Sequence, residues 1–173
     1  MLERNVVIVP YRSDWSAQYE KASEEVKEVF GSAILGMEHI GSTSVKGLSA
    51  KPIIDFMVGV HDLSVVNPFI EPLRDIRFEH VFHPELPNRR FFRRGERGAG
   101  THHLHIYTFG SDEWNQNLLF RNYLRANSDA LKRYEQLKKQ LADQYPQDRA
   151  AYTKAKHPFI TEIIEMAKTS ISF

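Results

Sequence analysis

Residues 39–58 read HIGSTSVKGLSAKPIIDFMV, and this stretch is the most informative about the fold. Its first part is a loop of small residues, 41–47, that follows a strand-like segment. A glycine can adopt positive φ at no steric cost, and small side chains let a ligand approach the backbone closely. Hydroxyls and free amides in such a loop can converge on one anion. We therefore predict a phosphate-binding loop, with an ordinary serine-capped turn as the alternative. The candidate phosphate ligands are Gly41, Ser42, Thr43, Ser44 and Lys46.

The second part of the stretch is a nearly continuous apolar run from Pro52 to Val60, interrupted by the charged residue Asp55. Such a run is typical of a strand that is covered on both faces. An ionised carboxylate in this setting costs on the order of several kcal/mol unless it is paired, hydrogen-bonded or bound to a metal. Asp55 therefore needs a partner. It is either a carboxylate of a metal or phosphate site, or it forms a structural salt bridge to Lys51 or to an arginine.

Hydrophobic periodicity around this stretch predicts one helix, a strand-rich middle and about three final helices. This order indicates an α+β domain with a small sheet, packed by an N-terminal helix and by C-terminal helices. Strands are expected at 5–10, 34–40, 52–60, 78–82, 89–94 and 102–109. Helices are expected at 13–31, at 64–75 and in three segments after residue 111.

Composition excludes several classes of function. The 173 residues suit a single domain over 1–173, and 23 basic against 22 acidic residues give a net charge of +1. The net charge therefore creates no electrostatic field that would favour a membrane surface or a nucleic acid as partner. The sequence does not indicate the oligomeric state. The chain has no cysteine, which excludes disulfides, thiolate zinc sites and cysteine nucleophiles. With no signal-peptide pattern and no apolar run of membrane-spanning length, we expect a soluble, cytoplasmic protein.

Histidines supply a second set of candidate residues. In the segment THHLHIY, strand alternation places His103 and His105 on one face and the neighbouring apolar residues on the other. Two imidazoles at this spacing can hold Zn, Mn, Fe or Ni, and His39 could be a third nitrogen ligand. The alternatives are hydrogen bonds to backbone or phosphate, and an acid or base role.

Positive charge is concentrated in the segment RRFFRR at residues 89–94. On a strand, one set of these arginines must point toward the core or a cleft, where it can bind an anion. We expect Arg90 to be the arginine that does so. The aromatic residues between the arginines also suit a nucleic-acid strip, which the rest of the composition disfavours.

The residues 39–58, together with HLHIY, FRNYLR and AYTKAKHPFI farther along the chain, resemble the GrpB-like family of the nucleotidyltransferase superfamily. The resemblance covers nearly the whole chain and implies a small mixed sheet of the nucleotidyltransferase type. Family members are sometimes fused to dephospho-CoA kinase. The superfamily pattern of a hydrophobic residue, Gly, Ser and a following acid is matched by Ile40, Gly41, Ser42 and Asp55. Arg121 and Lys156 lie in the last two motifs, so phosphate contact is expected of both, with a surface ion pair as the alternative.

The resemblance fails at one position, where the superfamily's second acid is replaced by Met57. A magnesium ion prefers several oxygen ligands, so Asp55 alone would hold it weakly. The implied activity is nucleotidyl or phosphoryl transfer, in which Asp55, His103 and His105 are catalytic and a divalent ion is bound: Mg or Mn, or Zn if histidines ligate it. Met57 keeps two alternatives open. They are a non-catalytic sensor of a nucleotide or CoA precursor, and a His/Asp metal-dependent hydrolase.

Overall fold

The structure is a computed structural model that describes residues 5–170, in which five strands and five α-helices are found. The strands are β1 (Gly36–Ile40), β2 (Ile54–Val60), β3 (Glu79–Val81), β4 (Arg90–Arg94) and β5 (His102–Thr108). The helices are α1 (Asp14–Phe30), α2 (Ile70–Asp75), α3 (Asp112–Ala126), α4 (Ser128–Gln144) and α5 (Arg149–Ser170). The expected α+β class is confirmed. A single domain over 1–173 stays a prediction, because its first four and last three residues lie outside the described range.

The five strands form one mixed sheet in the order β1-β2-β5-β4-β3. Strands β2 and β5 are parallel, and the other neighbours are antiparallel. In this register Asp55 lies beside Ile40 on one side and beside His103 on the other. Asp55 is therefore in the interior of the sheet, with a paired strand on each side.

One face of the sheet is closed by α1 and α2. The apolar side chains of this face, such as Phe56 and Leu104, pack in one cluster with Trp15, Val26 and Leu73. All five are essentially inaccessible to solvent, so burial of this face supplies most of the hydrophobic stabilisation. The alternation of β2 places Asp55 on the opposite face, away from this core.

The opposite face is covered only in part. At one end, Trp114 of α3 packs with Ile40, Met57 and Tyr107. The C-terminal helices pack against the loop that follows β1 and against the residues just after it, through a cluster that contains Val45 and Leu48. The sheet surface near Asp55 is left open between these two contacts, and this gap creates the candidate site.

Two predicted elements differ in the structure. The expected strand at 5–10 is reduced to an isolated bridge between Val9 and Ala50, because Pro10 carries no amide hydrogen to extend a ladder. The expected helix at 64–75 is a 3-10 segment, Leu63–Phe69, followed by the short α2. Pro68 cannot donate the backbone hydrogen bond of a helix interior. Within residues 5–170, no helix is both long and apolar enough to cross a membrane.

His39 makes the stability of this fold depend on pH. Its ring stacks on Tyr19 at 4.7 Å, and its Nε2 atom is 3.0 Å from the Thr43 hydroxyl oxygen. Burial lowers the pKa of His39 from 6.5 to about 4. Between these values the unfolded chain binds more protons than the folded chain does, so the free energy of unfolding falls as pH falls through this window.

We expect His39→Gln to flatten the dependence of unfolding free energy on pH between about 6 and 4.5. The change in slope should approach 1.4 kcal/mol per pH unit, roughly the value for one proton. Denaturant titrations across this range measure it. The matched control is His61→Gln, since His61 is exposed in the folded chain and should keep the original slope. Identical slopes in all three proteins would contradict the assignment.

Candidate phosphate and metal site

A cavity of about 850 Å³ lies on the open face of the sheet. Its wall is formed by the loop after β1, by residues of β2, β4 and β5, and by side chains from α3, α4 and α5. Charged residues that line the cavity include Lys51, Asp55, Arg89, Lys138 and Lys156. The loop residues Gly41, Ser42 and Thr43 line the same cavity.

The loop contacts Asp55 at Gly41. Gly41 has a φ of 70°, and a Cβ atom added there would lie 3.0 Å from both Cβ and Oδ2 of Asp55. Only glycine combines this φ with so close an approach. Thr43 donates to the Ile53 carbonyl oxygen at 3.3 Å, and the Ser44 hydroxyl donates to the carbonyl oxygen of Gly41. These internal bonds hold the loop against the strand that carries the acid.

Asp55 contacts two of the three histidines of β5, His103 and His105. Its Oδ1 atom is 3.0 Å from Nε2 of His105 and 3.4 Å from Nδ1 of His103. Burial alone would raise the pKa of Asp55, but hydrogen bonds from the two histidines outweigh this effect and hold the pKa well below its usual range. Burial also lowers the pKa of His105, against the opposing influence of Asp55. Asp55 is therefore ionised and His105 neutral at neutral pH.

These three residues suit a divalent ion. One atom from each of Asp55, His103 and His105 lies within 4.8 Å of the others, and no other group of this kind is found in residues 5–170. The set offers two imidazole nitrogens and one carboxylate, a combination that favours Mn, Zn or Fe over Mg. The superfamily's second acid would lie at Met57, which is fully buried in the apolar cluster under α3. No carboxylate compensates there.

The opposite wall of the cavity carries a group of lysines. Lys51 and Lys156 place their ammonium groups 5.0 and 4.7 Å from the centre of the Tyr152 ring. Lys138 is 2% exposed and donates to the carbonyl oxygen of Ser49. Burial and mutual repulsion lower the pKa of Lys51 to about 8 and that of Lys138 to about 7, and burial lowers the pKa of Lys156. No carboxylate of the described chain forms an ion pair with these three lysines.

Five of the predicted site residues lie outside this cavity. Ser44 is buried, and its hydroxyl is used within the loop. His39 has the strand parity opposite to Asp55 and lies on the closed face. Arg90 likewise pairs with Ile106 on that face, and its guanidinium donates to the Pro87 carbonyl oxygen. Lys46 is exposed at the far end of the loop. Arg121 is occupied, because it donates to the Glu38 carboxylate at 2.6 Å and to the His39 carbonyl oxygen at 2.9 Å.

Three cavity residues were not anticipated from sequence as ligands. Arg89, one position before the expected Arg90, has the same strand parity as Phe91 and His105 and lies 3.3 Å from His105 Nδ1. Lys51 was considered only as a salt-bridge partner of Asp55. Lys138 carried a signal, since it interrupts the apolar stripe of α4 between Tyr134 and Leu141. A lysine in an apolar stripe indicates a buried cation with a functional or structural partner.

Comparison with known proteins agrees with the geometry. The fold is of the nucleotidyltransferase type: 79% of the chain superposes on 43% of Cid1 in complex with the UTP analog UMPNPP, with a TM-score of 0.53 at 17% identity. The chain belongs to the GrpB family, whose model, described as GrpB protein, matches residues 5–166.

Two members are especially similar to the chain. The glutamate-rich protein GrpB of Alkalihalophilus pseudofirmus is 35% identical over 92% of this chain and 94% of its own length. The crystal structure of conserved protein GrpB from Enterococcus faecalis has a TM-score of 0.89 at 37% identity, covering 95% of this chain and 99% of that one. The similarity therefore extends over the whole fold, including the loop and the strands that form the cavity.

We expect Gly41→Ala to destabilise the fold more than Gly47→Ala does. Both glycines have positive φ, so both substitutions introduce backbone strain of about 1 kcal/mol. Only at residue 41 does the new methyl group also meet Asp55, whereas nothing lies within 4 Å of residue 47. Denaturant unfolding at neutral pH should show an additional loss of about 1 kcal/mol for Gly41→Ala. Equal losses would mean that the close approach of loop and acid is not needed.

Proposed function

We propose that the chain binds a nucleotide, or another small molecule with several phosphate groups, in the 850 Å³ cavity and transfers a nucleotidyl or phosphoryl group there. The phosphates contact the lysines and the loop Gly41–Thr43, and the reacting phosphorus lies near Asp55. Catalysis of such a transfer depends mainly on positioning and on electrostatic stabilisation. The proposal retains the cytoplasmic location expected from the sequence, where such ligands occur.

The observation that carries this proposal is the group of three lysines. Lys138 is buried, and Lys51 and Lys156 are half-buried. The three repel one another and have no carboxylate as an ion-pair partner in the described chain. A cation in this state is costly until an anion reaches it. A ligand with two or three phosphate groups supplies enough negative charge for all three lysines at once. The resulting charge-assisted hydrogen bonds are the strong kind that fix a phosphate chain in place.

A divalent ion at Asp55, His103 and His105 is part of the proposal. When bound, it would supply positive charge that polarises a phosphoryl oxygen or a water molecule. The two histidines would occupy ligand positions that carboxylates provide elsewhere in the superfamily. Because nitrogen ligands suit Mn or Zn better than Mg, this donor set favours Mn or Zn. If water is the acceptor, the same arrangement is the His/Asp metal-dependent hydrolase that the sequence left open.

The comparisons support the nucleotide as ligand class. Cid1, which shares the fold, is described in complex with a UTP analog. At 17% identity this likeness extends to the architecture and not to individual side chains. The assignment of a phosphate-bearing ligand to this chain therefore depends on its own lysines and loop.

The second candidate function is a sensor that binds the nucleotide or a CoA precursor without reacting it. Met57 favours it, since its side chain is fully buried where the superfamily's second acid would lie. Under this reading the phosphate contacts remain and the ion is dispensable. Ligand binding that is indifferent to divalent ions, with no product formed, would favour the sensor over the transferase.

We expect Lys156→Met to raise the dissociation constant for nucleoside triphosphates at least about tenfold, equivalent to about 1.4 kcal/mol. The substitution keeps much of the packing over Tyr152 and removes the charge that meets the phosphates. Isothermal titration calorimetry with ATP and UTP, in the presence and absence of manganese, measures the change. Lys154→Met is the control, because Lys154 lies on the same helix and is exposed. Unchanged affinity in Lys156→Met would remove the lysines from the binding site.

We expect Asp55→Asn to reduce turnover by about two orders of magnitude or more, while triphosphate binding is retained. The amide lacks the charge that the ion and the two histidines require. Release or transfer of phosphate from α- and γ-labelled triphosphates with manganese measures turnover. Asp143→Asn, an exposed position on α4, serves as control. Equal turnover in both variants would exclude Asp55 from the chemistry.

A further inference from the structure

Arg89 and Asp55 together fix which nitrogen of His105 carries the proton. Its NH1 atom lies 3.3 Å from Nδ1 of His105, and a guanidinium group can only donate a hydrogen bond. Nδ1 is therefore the acceptor, so the proton of the neutral ring is on Nε2. That nitrogen lies 3.0 Å from the Asp55 carboxylate, which can only accept. The hydrogen bonds thus run in one direction, from Arg89 through His105 to Asp55.

This arrangement is incompatible with a metal ion on His105. An ion held jointly by Asp55 and His105 needs the lone pair of Nε2, where the proton now lies. If the proton moves to Nδ1, the ring presents a second donor to Arg89 at 3.3 Å, and two donors repel. The positive charge of Arg89 adds to the repulsion of the ion. Arg89 must therefore leave His105 before the ion can bind.

The guanidinium of Arg89 can reach an alternative partner in the cavity. It lines the same cavity as the three lysines, and it is only partly buried. Its guanidinium lies 4.8 Å from the centre of the Phe91 ring, and its Nε atom is buried without a hydrogen-bond partner in the described chain. A phosphate group in the cavity offers the paired oxygens that a guanidinium binds best. Such a contact would replace the long bond to His105 and give Nε a partner.

We propose that Arg89 regulates the metal centre, keeping His105 in the tautomer that cannot ligate an ion until a phosphate group in the cavity draws Arg89 away. This inference rests on the proposed function and deepens it. Its consequence is that ion and phosphate ligand bind cooperatively, each raising the affinity for the other by the same factor. The ion is then bound weakly while the cavity contains no phosphate.

The test compares Arg89→Met with Arg90→Met. Arg90 is the adjacent residue, carries the same charge and lies on the closed face of the sheet, so it is a matched control. Cobalt(II) titrations, followed by absorption and calorimetry without any phosphate, should show at least about tenfold tighter binding for Arg89→Met and no change for Arg90→Met. Replacing chloride by sulfate at constant ionic strength supplies a tetrahedral anion. It should tighten cobalt binding about fivefold in the wild-type chain, and by less in Arg89→Met.

A second measurement needs no variant. Nitrogen-15 spectra of the histidine rings in the metal-free wild-type chain should show His105 protonated at Nε2. Three results would overturn the proposal: equal cobalt affinity in Arg89→Met and Arg90→Met, a wild-type His105 protonated at Nδ1, or no cobalt binding by any of the three proteins. The last result leaves phosphate binding by the lysines intact, since the Lys156→Met titration without metal tests that separately.

Discussion

The sheet has an ionised carboxylate in its interior, and the packing of the loop and of the neighbouring strands compensates this charge. Asp55 lies on a strand with neighbours on both sides, so its negative charge must be met by the protein. His103 and His105 meet it from the parallel strand, and Gly41 leaves the space it occupies. The parallel pairing of β2 and β5 is thus both a feature of topology and the means by which the charge is stabilised. A shift of one residue in that register would turn both histidines to the closed face.

The two faces of the sheet divide the work between stability and binding. The face under α1 and α2 is closed and apolar, and its burial stabilises the fold. The other face is spanned by helices that contact the loop and one end of the sheet, so a cavity remains over Asp55. Lysines from α4 and α5 reach into this cavity. Keeping these lysines away from water destabilises the fold, and hydrophobic burial on the opposite face of the sheet offsets this cost.

Much of the fold could be predicted from the sequence. Site residues could be predicted where a local pattern, such as strand alternation, identifies them. Strand alternation was enough to place His103 and His105 on one face, and an apolar run that contains one acid was enough to single out Asp55. Alternation does not reveal which face of a strand is open, and for that reason Arg90 was expected where Arg89 lies. The prediction that His39 is a metal ligand misplaces the residue for the same reason: its position in β1 directs it to the closed face, whereas the next residue lies on the open face. Lys138 can be recognised as a buried cation because it interrupts the apolar stripe of α4, but the packing of α4 that brings it to the cavity is not encoded in any local pattern. Lys51 carries no such local signal.

The charges of the cavity indicate how the proposed site would compensate for the missing second acid. Four cations, Lys51, Arg89, Lys138 and Lys156, line the cavity. The carboxylates in the same lining are Asp55 and Glu165, and Glu165 forms an ion pair with Lys168. A site with this balance attracts an anion more strongly than it attracts a divalent ion. A phosphate-bearing ligand would reverse the balance, since its oxygens neutralise the lysines and add the hard ligands that Met57 does not provide. In this arrangement the ligand would complete the metal centre, and the order of binding would follow from charge: phosphate first, ion second.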